Sequence, residues 1–157
     1  MSLARTVFSS PVHWLAFGLG SGLVPQAPGT FGTLAAVPFY LLLATLPLGT
    51  YLTVVVLAFG FGVWLCGESS RRLGVHDHGG IVWDEFVGFW ITMTAAPAGW
   101  YWVVAGFMLF RVFDVWKPWP IRWFDRQVQG GLGIMLDDVL AGLAGWGVLQ
   151  CLVWLAG

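Results

Sequence analysis

Charge is what this sequence lacks most. Only 10% of its 157 residues are Asp, Glu, Lys or Arg, against roughly a quarter in an average soluble domain. No charged residue occurs between Thr6 and Gly67, between Phe86 and Phe110, or from Val139 to the C-terminus. Apolar runs of that length must meet lipid or one another. With 58% hydrophobic residues and a mean hydropathy of +0.79, the chain reads as an integral membrane protein. Cysteine is scarce as well. Cys66 and Cys151 both sit inside apolar runs, which makes them small buried hydrophobes rather than a disulfide or a metal pair. The net charge is −1 and no basic patch stands out from the acids around it, so nothing points to a nucleic-acid partner.

Several chemistries are missing too. There is no Walker loop, HExxH, GxSxG or CxxC, and each of those motifs carries a mechanism this chain therefore does not use. Neither an aspartyl-nucleophile DxDx pattern nor the signature of CDP-alcohol phosphotransferases occurs, and no covalent-histidine phosphatase pattern is found. A cleaved leader is not expected, because Pro11, Gly18, Gly20 and Gly22 break the first apolar segment and no small-residue cleavage site follows.

What is present is a series of apolar helices. By length the chain is one domain, residues 1–157. Residues 8–24 read as a short interfacial or re-entrant helix with Trp14 at the lipid border. About five hydrophobic helices follow, over 31–46, 51–67, 81–96, 100–116 and 138–156. The expected fold is all-α, an integral membrane helical bundle. Turns near 47–50 and 97–100 carry no charge, and every Lys and Arg falls on the opposite side. The positive-inside rule makes that side cytoplasmic.

The charges themselves concentrate. Eight of the fifteen lie between Arg111 and Gly142. Arg111, Asp114 and Lys117 recur at i, i+3, i+6, a drifting stripe on one helix. Proline in KPWP ends that helix, and GGLG reads as a linker into Asp137 and Asp138 at the head of the last helix. Asp84 and Glu85 stand near the head of another. One acid per helix suffices for capping and for the helix dipole. Two adjacent acids on each of two helices repel unless a hard cation joins them, and Mg²⁺ takes carboxylates, waters and phosphate oxygens. Asp84 shares its face with Gly88 and Thr92, and Asp138 with Gly142 and Gly145. Such small-residue faces suit close helix packing.

Other residues admit two readings each. Arg111 offers a fork for a phosphate, or it snorkels to the headgroups as Lys117 can. Thr30 and Thr33, in the loop PQAPGTFGT, either bind an anion at a helix N-terminus or merely cap it. His76-Asp77-His78 is either a metal tract or a solvated loop, with His78 a candidate phosphate contact.

The stretches LVPQAPGTFGTLAA, HDHGGIVWDEFVG and FRVFDVWKPWPIRWFDRQVQGGLGIMLDDVLAG together resemble the bacterial phosphatidylglycerophosphatase A family over about residues 17–143. The resemblance implies a Mg²⁺-dependent inner-membrane phosphatase that converts phosphatidylglycerophosphate in the bilayer to phosphatidylglycerol. It covers Thr30, Thr33, Asp84, Glu85, Arg111, Asp114, Lys117, Asp137 and Asp138. The expected mechanism is metal-assisted hydrolysis by the four acids Asp84, Glu85, Asp137 and Asp138, with Asp84 or Glu85 and Asp137 or Asp138 holding Mg²⁺, a spare carboxylate accepting the proton of water, and the other residues on the substrate. The alternative from the residues alone is a transporter or ion pathway for an anionic group, since intramembrane acids also mark those.

Overall fold

The helices begin and end where proline, glycine and charge dictate. In the computed structural model, which describes residues 2–157, the order is α1 (Leu3–Phe8), α2 (Pro11–Ala16), a 3₁₀ turn (Gly18–Leu23), α3 (Pro28–Leu43), α4 (Leu48–Leu73), α5 (Trp83–Thr92), α6 (Trp100–Trp116), α7 (Ile121–Gln127) and α8 (Gly130–Ala156). Among the described residues there is no strand. The all-α expectation holds.

Several boundaries differ from those expected, each for a local reason. The interfacial segment 8–24 is not one helix: it is broken after Phe8 and again at Leu19 and Gly20, whose φ values are 59° and 99°. Ala16 and Phe17 in it are fully buried, as is Val7 just before it, and His13 Nδ1 lies 2.8 Å from Ser69 Oγ, tying α2 to α4. Helix α3 starts at Pro28, whose fixed φ suits a first helical position, so Thr30 and Thr33 lie inside the helix rather than before it. Helix α4 continues past Gly67 because Glu68 binds Arg71 at 2.8 Å and Arg72 at 2.6 Å, one turn on. Gly74, at φ 66°, then closes it.

The largest difference concerns GGLG. It is no linker: α8 begins at Gly130 and runs through Gly131, Gly133 and both aspartates. A Cβ at Gly131 would collide with the Val63 carbonyl of α4, and one at Gly133 with the Val128 carbonyl. These glycines serve close backbone approach within and against a helix. Asp137 and Asp138 therefore stand two turns inside α8, and neither caps it.

Helix α8 is the axis of the bundle, packed against α5, α4, α6 and α7. The tightest crossing is with α5. A Cβ on Gly142 would lie 2.5 Å from the Gly88 carbonyl, and one on Gly88 would lie 2.8 Å from the Asp138 carbonyl. The Thr92 hydroxyl sits 3.1 Å from the carbonyls of both Gly88 and Gly142. The two small-residue faces thus meet. Since Gly88 faces Gly142 and Thr92 faces Gly145, the helices run parallel, and Asp84 and Asp138 each stand one turn before the crossing. Helix α5 is buried on nearly every side. Its indoles and its backbone are tied outward, Trp90 Nε1 to the Ala36 carbonyl at 3.2 Å and the Trp90 carbonyl to Tyr51 Oη at 2.6 Å.

Two helices, α4 and α8, are long and apolar enough to cross a membrane. Only 28% and 22% of their most apolar windows are buried, so most of each apolar window is uncovered. The other three expected hydrophobic segments form helices of 16, 10 and 17 residues. At 1.5 Å per residue, α5 covers about 15 Å of a hydrocarbon core of about 30 Å. By length alone, then, two helices rather than five qualify as spans.

The crossing generates a paired test. Gly142→Val forces α5 and α8 apart and is expected to cost about 1–3 kcal/mol. Gly147→Val, on the same helix but facing open space, is expected to change the thermal midpoint in detergent little. Equal midpoints for the two variants would show that the crossing tolerates a side chain.

Candidate active site

Three helices deliver the charges to one place. The first turn of α5 carries Asp84 and Glu85. The last turns of α6 carry Arg111 and Asp114, and Lys117 caps that helix in a left-handed conformation at φ 46°. The third turn of α8 carries Asp137 and Asp138. All five acids are buried, Asp138 to 2% exposure. They form two overlapping triads. One oxygen each from Asp84, Asp137 and Asp138 lie within 4.8 Å of one another, and so do one each from Glu85, Asp114 and Asp138. The expected convergence of the two acid pairs is present.

The triads differ in what already holds them. Arg111 Nη1 donates to Glu85 Oε2 at 2.6 Å and also to Asp114. The Thr33 hydroxyl donates to the same Glu85 oxygen at 3.1 Å, or to the Gly29 carbonyl at 2.9 Å. On the other side Lys117 Nζ lies 2.6 Å from Asp137 Oδ2 and 2.9 Å from Asp125 Oδ1. Lys117 is therefore not snorkelling freely but bridging α7 and α8. Burial by itself lowers a lysine pKa, yet Asp137 and Asp125 outweigh it and hold Lys117 above its ordinary value.

Three buried polar atoms in this centre have no partner: Asp137 Oδ1, Asp138 Oδ2 and Arg111 Nε. Leaving a buried polar group unpaired costs about 1–3 kcal/mol, and more when it is charged. Five acids against one guanidinium and one ammonium also leave a surplus of negative charge where little water can screen it. Asp137 and Asp138, which carry the two orphaned oxygens, make up one triad with Asp84, and Arg111 pairs with the other two acids, Glu85 and Asp114. Hard carboxylate oxygens, a common locus and uncompensated charge together fit a divalent cation such as Mg²⁺. The orphaned Arg111 Nε–H is in turn a donor without an acceptor, which suits an anion.

The remaining candidates are distributed differently. Thr33 is fully buried against Glu85, whereas the Thr30 side chain makes no hydrogen bond to the acids. His78 is held in its loop: its Nδ1 accepts the Gly80 N–H at 3.0 Å and its ring lies 5.4 Å from that of Phe17. No hydrogen bond ties it to the acids. His76 Nε2 accepts the Gly130 N–H at 3.2 Å and so fastens the start of α8. Two contributors escape a reading of sequence alone. Asp125 is the second partner of Lys117, eight residues away. Gly29 lets α3 approach the centre, since a Cβ there would run into Glu85 and lie 3.0 Å from Arg111 Nη1.

Comparison with known proteins identifies the family. The family model described as phosphatidylglycerophosphatase A matches residues 14–153. A protein of Escherichia coli (strain K12) named phosphatidylglycerophosphatase A is 56% identical over 147 residues, covering 93% of this chain and 86% of that one. A protein of the same name from Haemophilus influenzae is 49% identical over 143 residues, covering 90% and 88%. No solved structure matches the chain.

The orphaned oxygens make a prediction that needs no turnover. Added Mg²⁺ or Mn²⁺ is expected to stabilise the wild type against unfolding, by about 2.7 kcal/mol at one hundred times the dissociation constant. Asp138→Asn and Asp137→Asn remove charge from the triad while keeping volume. Asp138→Asn should be no less stable than the wild type in chelator. Asp137→Asn should be less stable, because it breaks the ion pair with Lys117. Both should lose the stabilisation by metal. A full metal response in both variants would exclude the triad as the cation site.

Proposed function

Because the chain belongs to the phosphatidylglycerophosphatase A family, we propose that it is a lipid phosphatase that hydrolyses the terminal phosphate of phosphatidylglycerophosphate to phosphatidylglycerol and inorganic phosphate. The observation that carries the mechanism is the pair of buried acids Asp137 and Asp138, each with one oxygen that has no partner among the described residues and each offering an oxygen within 4.8 Å of one from Asp84.

Asp84, Asp137 and Asp138 would hold Mg²⁺, which when bound polarises phosphoryl oxygens and lowers the pKa of water. Glu85 and Asp114 orient Arg111 by accepting from its Nη1, and Thr33 steadies Glu85. The free N–H groups of Arg111 then donate to the phosphate, where charge builds as the bond to the leaving oxygen lengthens. Water attacks phosphorus in line, and the bond from phosphorus to the glycerol oxygen breaks. A carboxylate of the cluster takes the proton of the attacking water and returns it to the leaving glycerol oxygen. Lys117 neutralises the outer side of Asp137, which keeps the cluster able to accept a second anion.

The same reading places the protein in the bacterial inner membrane as a multi-pass chain. The uncovered apolar faces of α4 and α8 support embedding. With flanking apolar residues, α3, α5 and α6 complete five hydrophobic segments. The end of α4, the starts of α5 and α8 and the end of α6 gather at the acidic centre, and all seven Lys and Arg residues lie toward that end of the chain's crossings. The positive-inside rule puts that end in the cytoplasm. A transport role would call for ionisable groups along a path across the bilayer, whereas the acids here form one cluster at one end.

The test is phosphate release from phosphatidylglycerophosphate in detergent micelles, with Mg²⁺ and with chelator. Asp84→Asn and Asp138→Asn are each expected to lower turnover by at least roughly a hundredfold with the fold retained. Arg111→Lys keeps the charge but loses the fork, and kcat/KM should fall roughly ten- to a hundredfold. Wild-type rates in both Asn variants would end the proposed mechanism; a normal Arg111→Lys enzyme would confine Arg111 to holding α5 and α6 together.

A further inference from the structure

Two guanidinium groups without a counter-ion stand at the corner between α6 and α7. Arg122 and Arg126 are four residues apart on α7, one turn from each other on the same face. Like charges at that spacing repel, and among the described residues neither takes part in an ion pair. The carboxylate between them in sequence, Asp125, is turned to Lys117 instead. Arg122 Nη2 reaches the Trp116 carbonyl at 3.3 Å, which holds α7 to the end of α6 and leaves the other donors of the fork free.

These arginines, with Lys117, Trp119 and Trp123, line a cavity of about 510 Å³. Lys117 is the residue that this cavity and the acidic centre share, since its ammonium lies 2.6 Å from Asp137. Trp119 is 83% exposed and Trp123 more than half. Indole rings left bare beside cations suit the headgroup level of a bilayer.

We propose that this corner is a second anion subsite, which binds the phosphodiester joining diacylglycerol to the headgroup of the lipid substrate. The proposal rests on the lipid-phosphatase reading above. That substrate carries two phosphates, the terminal monoester that is cleaved and a diester three carbons away that survives. The monoester belongs with Arg111 and the acids. The diester bears a single negative charge and would be repelled by the carboxylates, so it needs cationic donors set apart from them. Arg122 and Arg126 supply forked donors of that kind, and Lys117 screens the corner from Asp137. The exposed indoles support the glycerol backbone at the lipid border. A soluble phosphomonoester gains nothing from the corner, so the subsite is a source of selectivity for lipid.

The test compares the full-length wild type with the double variant Arg122→Ala/Arg126→Ala in neutral detergent micelles. Both substituted side chains are exposed. Two measurements are made: KM for phosphatidylglycerophosphate, and calorimetric binding of glycerophosphoglycerol, a soluble phosphodiester with neither acyl chains nor a monoester. The double variant is expected to raise KM and weaken glycerophosphoglycerol binding, each roughly tenfold. Inorganic phosphate should inhibit both proteins alike, and Arg122→Lys/Arg126→Lys should recover part of the loss. Equal binding of glycerophosphoglycerol by both proteins, or none by the wild type, would overturn the subsite. A KM defect that appears only when the micelles carry phosphatidylserine would also overturn it, in favour of a general anionic-lipid surface. The calorimetric arm needs no turnover, so a wild type that fails to hydrolyse the lipid would remove the proposed function and leave the subsite still decided by binding.

Discussion

The backbone contact between Gly88 and Gly142 is the constraint on which the rest depends. Where two helices touch without intervening side chains, their neighbouring residues are brought closer than ordinary packing permits. Here α5 and α8 run parallel through that contact, and each carries an aspartate one turn before it. Parallel direction matters as much as proximity. In an antiparallel pair the same glycines would place Asp84 and Asp138 on opposite sides of the crossing. The acidic centre is thus a consequence of how closely and in which direction two backbones meet.

That closeness opposes stability. Five buried acids facing one guanidinium and one ammonium repel one another, and two oxygens are left with no partner at all. Folding tolerates the cluster because apolar packing around it is extensive: Phe86, Phe89, Phe110, Met135 and Leu149 are all buried about α5 and α8. The division of labour inside the cluster follows from where the cations stand. Arg111 satisfies the Glu85 and Asp114 side and is itself held in place by them. Lys117 reaches only one oxygen of Asp137. The triad of Asp84, Asp137 and Asp138 is the part of the cluster that the two cations satisfy least, and it is where the proposed metal would bind.

The surroundings of the cluster extend the same logic outward. Beyond the end of α6 at Lys117, α7 turns back beneath it with its own cations and the indole of Trp123. The charged corner and the acidic centre therefore share a residue but differ in sign. On the proposed reading, an anion with two phosphates would meet the acids and Arg111 with one and the guanidinium corner with the other, and the uncovered apolar sides of α4 and α8 would leave its acyl chains in lipid.

Much of this was legible in residues alone. The uncharged runs imply apolar helices, the charge-free turns imply that every cation shares one side, and the repeated small residues beyond Asp84 and Asp138 mark the faces that do meet. Those inferences succeed because helical periodicity and the hydrophobic effect act locally along the chain. GGLG was misleading for a reason of the same kind: glycine signals a turn by its backbone freedom and a close helix contact by its missing side chain, and sequence does not separate the two. Only the tertiary structure shows that Gly131 needs its small size against the Val63 carbonyl, which puts Asp137 and Asp138 inside α8 rather than at its cap. It likewise decided that Asp125 and Gly29 join the centre, that His78 stays in its loop, and which carboxylate oxygens are left without partners. These are long-range matters, set by how the helices pack, and a composition or a period cannot carry them.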